Sequence, residues 1–125
     1  MDEIIFSSSY DEKYPPQNVF TNKNNEFFSS TGMFPQEICI QFNAVKNLKT
    51  IDLISYGIKR IEIQTCENDS AINFKKQAEQ NEIPQKNGLQ KLSLNLVQNP
   101  KVKVLKIEIL EGYEDFCTIQ SIKYK

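Results

Sequence analysis

Short alternations of apolar and polar residues recur along almost the whole chain, and they restrict its fold more than any other feature. "EICIQF" (37–42) places Ile38, Ile40 and Phe42 on one face of an extended segment. "LKTIDLIS" (48–55) does the same with Ile51 and Leu53, and "IKRIEIQ" (58–64) with Ile61 and Ile63. "LQKLSLNL" (89–96) aligns Leu92, Leu94 and Leu96. "VKVLKIEIL" (102–110) aligns Val102, Val104, Ile107 and Ile109, and the odd step from 104 to 107 predicts a bulge or a change of face. "EIIFSS" (3–8) and "CTIQSIKYK" (117–125) supply a first and a last strand. Strand side chains alternate between faces, so period two with one apolar face marks half-buried strands. Pro15-Pro16, Gly57, Asn87-Gly88, Asn99-Pro100 and Gly112 punctuate them with turn chemistry. Only "NFKKQAEQN" (73–81) has a helical composition, which predicts one short helix. Short strands at near-regular spacing predict an all-β fold, an antiparallel β-sandwich of the jelly-roll kind. The 125 residues fit a single domain spanning 1–125.

What the chain lacks narrows its chemistry. It contains no histidine, which removes Ser-His and Cys-His nucleophile systems and the commonest zinc ligand. Gly32, Gly57, Gly88 and Gly112 never cluster into a phosphate-binding loop. Glu114-Asp115 is an adjacent acidic pair near a turn, read as solvated. Catalysis by this chain is not expected. Cys39, Cys66 and Cys117 show no CxxC spacing; Cys39 and Cys117 read as small buried hydrophobes, and all three as reduced thiols. The formal charge of −1, from 15 basic and 16 acidic residues, gives no global field for nucleic acid or an anionic membrane. Lys101, Lys103 and Lys106 alternate on one segment and read as a solvated strand face. The opening "MDEIIFSSSYDEKY" lacks the basic start and apolar run of a signal peptide, and no stretch approaches the ~20 apolar residues of a membrane span. Cytoplasmic residence without membrane insertion is the expectation. A sugar platform would use exposed aromatics, yet the chain has no Trp. In the Phe27-Phe28 pair, at least one ring must face the core.

The stretch "DEKYPPQNVFTNKNNEFFSSTGMFPQE" (11–37) resembles the intraflagellar transport protein 25 family, most closely at "DEKYPPQN" and "TGMFPQE". The likeness continues through "LISYGIKRIEI" (53–63) and "GYEDFCTIQSI" (112–122), in one register along the chain. The resemblance implies a galactose-binding-domain-like jelly roll. It further implies a non-enzymatic subunit of the intraflagellar transport B complex, found in cytoplasm and cilium or flagellum. Such a subunit forms a heterodimer with a Rab-like small GTPase, intraflagellar transport protein 27, and supports ciliary cargo transport. The alternative on the same fold is a calcium-dependent, lectin-like glycan-binding module.

The resemblance also implies a structural calcium in the loop "NVFTNKNNEFF" (18–28), with Asn18, Thr21 and Glu26 as its candidate ligands here. This loop departs from the family pattern. Thr21 stands where the pattern has Asp, Asn22 and Lys23 replace Gly-Asn, Glu26 replaces Thr, and Phe28 replaces Trp. Calcium takes six to eight oxygens, with carboxylates providing most of the affinity. Partner-binding candidates are Met33, Phe34, Tyr56, Tyr113 and Phe116. Met33 and Phe34 have two readings: a plug closing the end of the sandwich, or an exposed anchor for the GTPase. Tyr56, Tyr113 and Phe116 taken singly read as core.

Overall fold

The computed structural model describes residues 2–125 except 22, 24, 71, 86, 87 and 98, so Asn87 of the expected Asn87-Gly88 turn and Asn22 of the expected calcium loop lie outside the described residues. The strands are β1 (Glu3–Ser7), β2 (Phe28–Ser29), β3 (Gln36–Asn47), β4 (Thr50–Tyr56), β5 (Ile58–Cys66), β6 (Lys75–Gln80), β7 (Gln90–Asn95), β8 (Lys101–Gly112) and β9 (Thr118–Tyr124). A 3-10 turn covers Pro16–Phe20. A five-stranded sheet in the order β1-β3-β8-β5-β6 faces a four-stranded sheet in the order β2-β9-β4-β7, with antiparallel neighbours throughout. Most connections therefore cross from one sheet to the other, as the expected jelly roll requires.

The alternation read from the sequence is what fills the sandwich. Ile38, Ile40 and Phe42 of β3, Ile61 and Ile63 of β5, and Leu105, Ile107 and Ile109 of β8 point inward from the larger sheet. Ile51 and Leu53 of β4, Leu92 and Leu94 of β7, and Ile119 and Ile122 of β9 meet them from the smaller one. Each such side chain contributes roughly 1.5–3 kcal/mol relative to exposure, so this layer dominates stability. Phe28 lies fully in the core while Phe27 stacks on Tyr14 outside it, the division expected of neighbours in an extended segment.

Two expectations are corrected. The helix expected over 73–81 is instead the edge strand β6, paired antiparallel with β5 from Ile61↔Gln80 to Thr65↔Lys75. Lys, Gln, Ala and Glu favour helix when isolated. Here Ala78 packs on the core and Glu79 is held by Arg60 at 2.9 Å and Lys76 at 3.0 Å, and these tertiary contacts override propensity. In β8 the change of face falls earlier than expected. Val102 and Leu105 enter the core, whereas Val104 points out to join Cys39, Cys66 and Phe74. The cause is a register slip against β3, where Gln41↔Val104 is followed by Lys46↔Val102.

The three lysines of β8 do not act as a unit. Lys106 lies 4.8 Å from the Phe74 ring and 3.7 Å from Glu37, and Lys103 donates to the Asn43 carbonyl at 3.1 Å. The outer face of the larger sheet also carries glutamates in register on four strands: Glu37↔Glu108, Glu108↔Glu62 and Glu62↔Glu79. Burial, a hydrogen bond with Glu37 and its charge together push the Glu108 carboxyl above its ordinary value.

The two chain ends are tied across the sheets. Asp2 accepts hydrogen bonds from the Tyr124 hydroxyl, from Lys46 Nζ at 3.1 Å and from Asn43 N–H at 3.2 Å. The Lys46 ammonium sits over the Phe42 ring at 4.8 Å and the Tyr124 ring at 5.0 Å. Burial alone would raise Asp2, but these hydrogen bonds and the Lys46 charge outweigh it and hold the carboxyl below its ordinary value. A depressed carboxylate stabilises the fold above its unfolded pKa, and that contribution disappears as pH falls through the folded-state value. Asp2→Asn is therefore expected to lower unfolding free energy by about 1 kcal/mol at pH 7. The gap to the parent should narrow below about pH 4, as urea unfolding at the two pH values will show.

Candidate functional site

All five partner-binding candidates lie at one end of the sandwich, where segments 8–15, 30–35, 81–85 and 113–117 and the Gly57 turn come together. Met33 is 86% exposed, and Tyr113 and Phe116 are each 41% exposed. Tyr56 is half-buried, with its ring 6.4 Å from that of Phe116. Tyr56, Tyr113 and Phe116 are thus surface residues and not the core positions they read as singly. Phe34 alone packs against the core.

The two readings of Met33 and Phe34 separate along the chain. Gly32 takes a positive φ of 88°, the Phe34–Pro35 peptide is cis, and Gln36 begins β3. Phe34 turns inward onto Gly112, where a Cβ would lie 2.6 Å from its ring Cε2. Met33 is held by its carbonyl, which accepts from Gln36 Nε2 at 2.5 Å, so its side chain is left outside. Phe34 plugs the sandwich; Met33 does not.

Two buried glutamines hold this end together, and the sequence reading did not single them out. Gln36, 4% exposed, donates to the carbonyls of Met33 and of Thr31 (3.3 Å), and its Oε1 accepts from Ser8 Oγ (2.7 Å) and Ser9 Oγ. Gln90 donates to the carbonyls of Ile58 at 2.7 Å and Pro84 at 3.3 Å, and accepts from Ser55 Oγ and Ile58 N–H, both at 3.1 Å. Tyr113 adds a bond from its hydroxyl to the Ile83 carbonyl at 2.5 Å. The available signal was position: each glutamine opens a strand immediately after a turn.

Beside Met33 lies a groove of about 380 Å³. Met33, Phe34 and Leu110 give it apolar walls, and Glu111, Glu114 and Asp115 an acidic one. The Glu114 carboxylate beside Tyr56 raises the phenol above its ordinary pKa. Glu111 is 3.7 Å from Arg60, whose closer partner is Glu79 at 2.9 Å. Among the described residues neither Glu114 nor Asp115 pairs with a cation.

The candidate calcium loop closes on itself. Asn18 donates its side-chain amide to the Phe27 carbonyl at 2.9 Å, and Thr21 Oγ1 donates to the Asn18 carbonyl at 3.0 Å. Glu26, the one carboxylate among the candidates, is 3.7 Å from the Lys23 ammonium. Asn18 Oδ1 and Thr21 Oγ1 keep acceptor capacity, but Glu26 is the single carboxylate among the three candidates and faces a cation, a weak charge complement for calcium. No group of three or more His, Cys, Asp or Glu side chains suited to a metal occurs among the described residues. The cysteines are free and buried; burial pushes Cys117 up to about 11 and raises Cys39, so neither thiol is a ready nucleophile.

No protein-family model matches the chain. Intraflagellar transport protein 25 of Chlamydomonas reinhardtii is 28% identical over 120 residues, covering 95% of this chain and 62% of the algal protein. The Homo sapiens homologue is 25% identical over 120 residues, covering 96% of this chain and 83% of that protein. These alignments bear out the resemblance carried by residues 11–37 and extend it along nearly the whole chain. The chain spans less than two thirds of its algal relative. A Clostridium perfringens CBM32 domain solved with GalNAc-β-1,3-galactose superposes with a TM-score of 0.81 at 16% identity, covering 98% of this chain and 94% of that one. A chitosan-binding module from Paenibacillus superposes with a TM-score of 0.82 at 11% identity, covering 100% and 93%. At such identities the likeness is one of fold, the galactose-binding-like jelly roll.

Two outcomes are expected. Gln36→Ala leaves the Met33 carbonyl without its donor and takes the 2.7 Å acceptor from Ser8 Oγ, while Ser9 and Thr31 still bond each other, a loss of about 1–3 kcal/mol. Thermal unfolding should show a midpoint lower by roughly 5–10 °C. For the 18–28 loop, millimolar calcium and excess chelator should give the same midpoint within about 1 °C, because a ligand that does not bind the folded chain cannot shift it.

Proposed function

We propose that this chain is a non-enzymatic subunit of the intraflagellar transport B complex, present in cytoplasm and cilium or flagellum. It docks a Rab-like small GTPase, intraflagellar transport protein 27, and supports ciliary cargo transport. The observation that carries this reading is the alignment with intraflagellar transport protein 25 relatives over 120 residues, 95–96% of this chain. The site supports the same class of function. The loop end presents Met33, Tyr56, Tyr113 and Phe116 on a scaffold clamped by hydrogen bonds, which suits a rigid protein contact. Aromatics and Met are enriched at the energetic centres of interfaces. No helix among the described residues is long and apolar enough to cross a membrane.

The glycan-binding alternative rests on fold, and fold does not carry function. The calcium that would hold its loops meets one carboxylate among the candidate ligands, Glu26, beside the Lys23 ammonium. Size-exclusion chromatography of the purified chain mixed with the Rab-like GTPase from the same organism tests the proposal. One stoichiometric peak, unchanged by chelator, is expected. Separate peaks with and without calcium, together with a rise in the unfolding midpoint on adding galactose, would replace this reading with the glycan one.

A further inference from the structure

The groove beside Met33 joins two features that belong together chemically. Its apolar side is Met33, the most exposed large apolar residue of the described chain, with Phe34 and Leu110 beside it. Its acidic side is Glu111, Glu114 and Asp115, two of which have no cationic partner among the described residues. A volume of about 380 Å³ is at the small end of ligand pockets and accepts one long side chain with an apolar neighbour.

We propose that this groove seats an arginine of a protein partner, flanked in the partner's sequence by aliphatic or aromatic residues. The inference rests on the reading of the chain as an interaction subunit and names what its surface recognises. Charge complementarity selects the occupant: a cationic head answers the acidic side, and an apolar stem answers Met33 and Phe34. Arginine fits better than lysine. Its planar fork can bond two carboxylates at once, and its weakly hydrated guanidinium lies readily on apolar and aromatic surface. Lysine offers a compact, strongly hydrated charge with no matching geometry. The seat is preorganised. Gln36 holds the Met33 carbonyl, and Phe34 is wedged against Gly112. Little ordering therefore opposes binding. Methionine adapts its thioether to differently shaped apolar neighbours, which suits the rim of such a seat.

The test is selection of a displayed library of random twelve-residue peptides on the full chain, followed by fluorescence anisotropy of the enriched peptides. Arginine next to an aliphatic or aromatic residue should be enriched. Binding should weaken at least tenfold for the double variant Glu114→Gln/Asp115→Asn and, separately, for Met33→Ser. Both variants should keep the parent's circular dichroism and unfolding midpoint, because the altered side chains are exposed. Enrichment without arginine, no enrichment, or peptides that bind parent and variants alike would overturn the proposal. Running the same variants against the Rab-like GTPase separates the two claims. If the GTPase binds parent and variants equally while the peptides behave in any of those overturning ways, the groove assignment falls and the subunit reading stands. Groove-dependent arginine peptides with no GTPase co-elution leave the groove standing and remove that partner.

Discussion

A buried side-chain amide is a demanding group, and two of them decide the shape of one whole end of this protein. Each offers two donors and an acceptor, and each unmet position costs about 1–3 kcal/mol inside the fold. Gln36 opens β3 in the larger sheet and Gln90 opens β7 in the smaller one. Their partners come both from distant chain, Ser8 and Ser9 for the first and Ser55 and Ile58 for the second, and from the loop just before each strand, Thr31 and Met33 or Pro84. These loops can take only conformations that bring those carbonyls and hydroxyls together. No described buried side-chain nitrogen or oxygen is left without a partner. The loops are thus shaped by bonds running inward, with Tyr113 adding one from the surface, and Met33 is left with no structural bond from its side chain.

The rest of the fold supplies the stiffness on which that depends. Interdigitated Ile and Leu side chains from both sheets form a layer strong enough to carry unfavourable features elsewhere. The glutamate row on the outer face is such a feature, since like charges directly opposite one another on neighbouring strands repel. Lys106 offsets one end of the row at Glu37, and Arg60 and Lys76 offset the other at Glu79. Glu108, in the middle, responds by holding its proton more tightly. A raised carboxyl favours the fold most at low pH and least once pH has passed its folded-state value, the opposite sense to Asp2. The two groups tilt the acid side of the stability profile against each other.

What was legible in the sequence is what period two can encode. The inward faces of β3, β4, β5 and β7 could be read from single segments, because burial on one side of a strand leaves its mark every second residue. β6 could not, since Lys75–Gln80 carries helix-favouring residues and becomes a strand only through pairing with β5. The two-residue β2 is too short to show a period. The outward turn of Val104 depends on a register slip against β3, a relation between two strands that neither segment contains. For the site, the residue types were legible and their assembly was not. Met33, Tyr56 and Phe116 stand far apart in sequence, and only the alternation of the chain between sheets delivers them to one end. The separation of Met33 from Phe34 turns on Gln36, whose role appears once its partners are in place.

Exposed apolar side chains elsewhere in this structure show what the loop end lacks. On the outer face of the larger sheet, Cys39, Cys66 and Val104 would face water, but Phe74 folds over them and Lys106 lies across Phe74. Phe27, left out of the core beside Phe28, is covered by Tyr14 at a ring distance of 4.6 Å. These two patches are covered from within the chain, whereas Phe6, Val45, Ile72 and Val97 stay exposed elsewhere. At the loop end no such cover forms over Met33, although neighbouring loops are close enough to bond one another through Gln36 and Gln90. The carboxylates beside it also lie where a lysine of this chain would have relieved them, and the nearby Lys59 is instead 5.8 Å from the Tyr113 ring. An apolar residue held outward by its backbone, next to acids left without cations, is an arrangement that folding alone does not require. It is the arrangement on which the proposed arginine seat rests, a loop surface carried by the rigid sandwich beneath it.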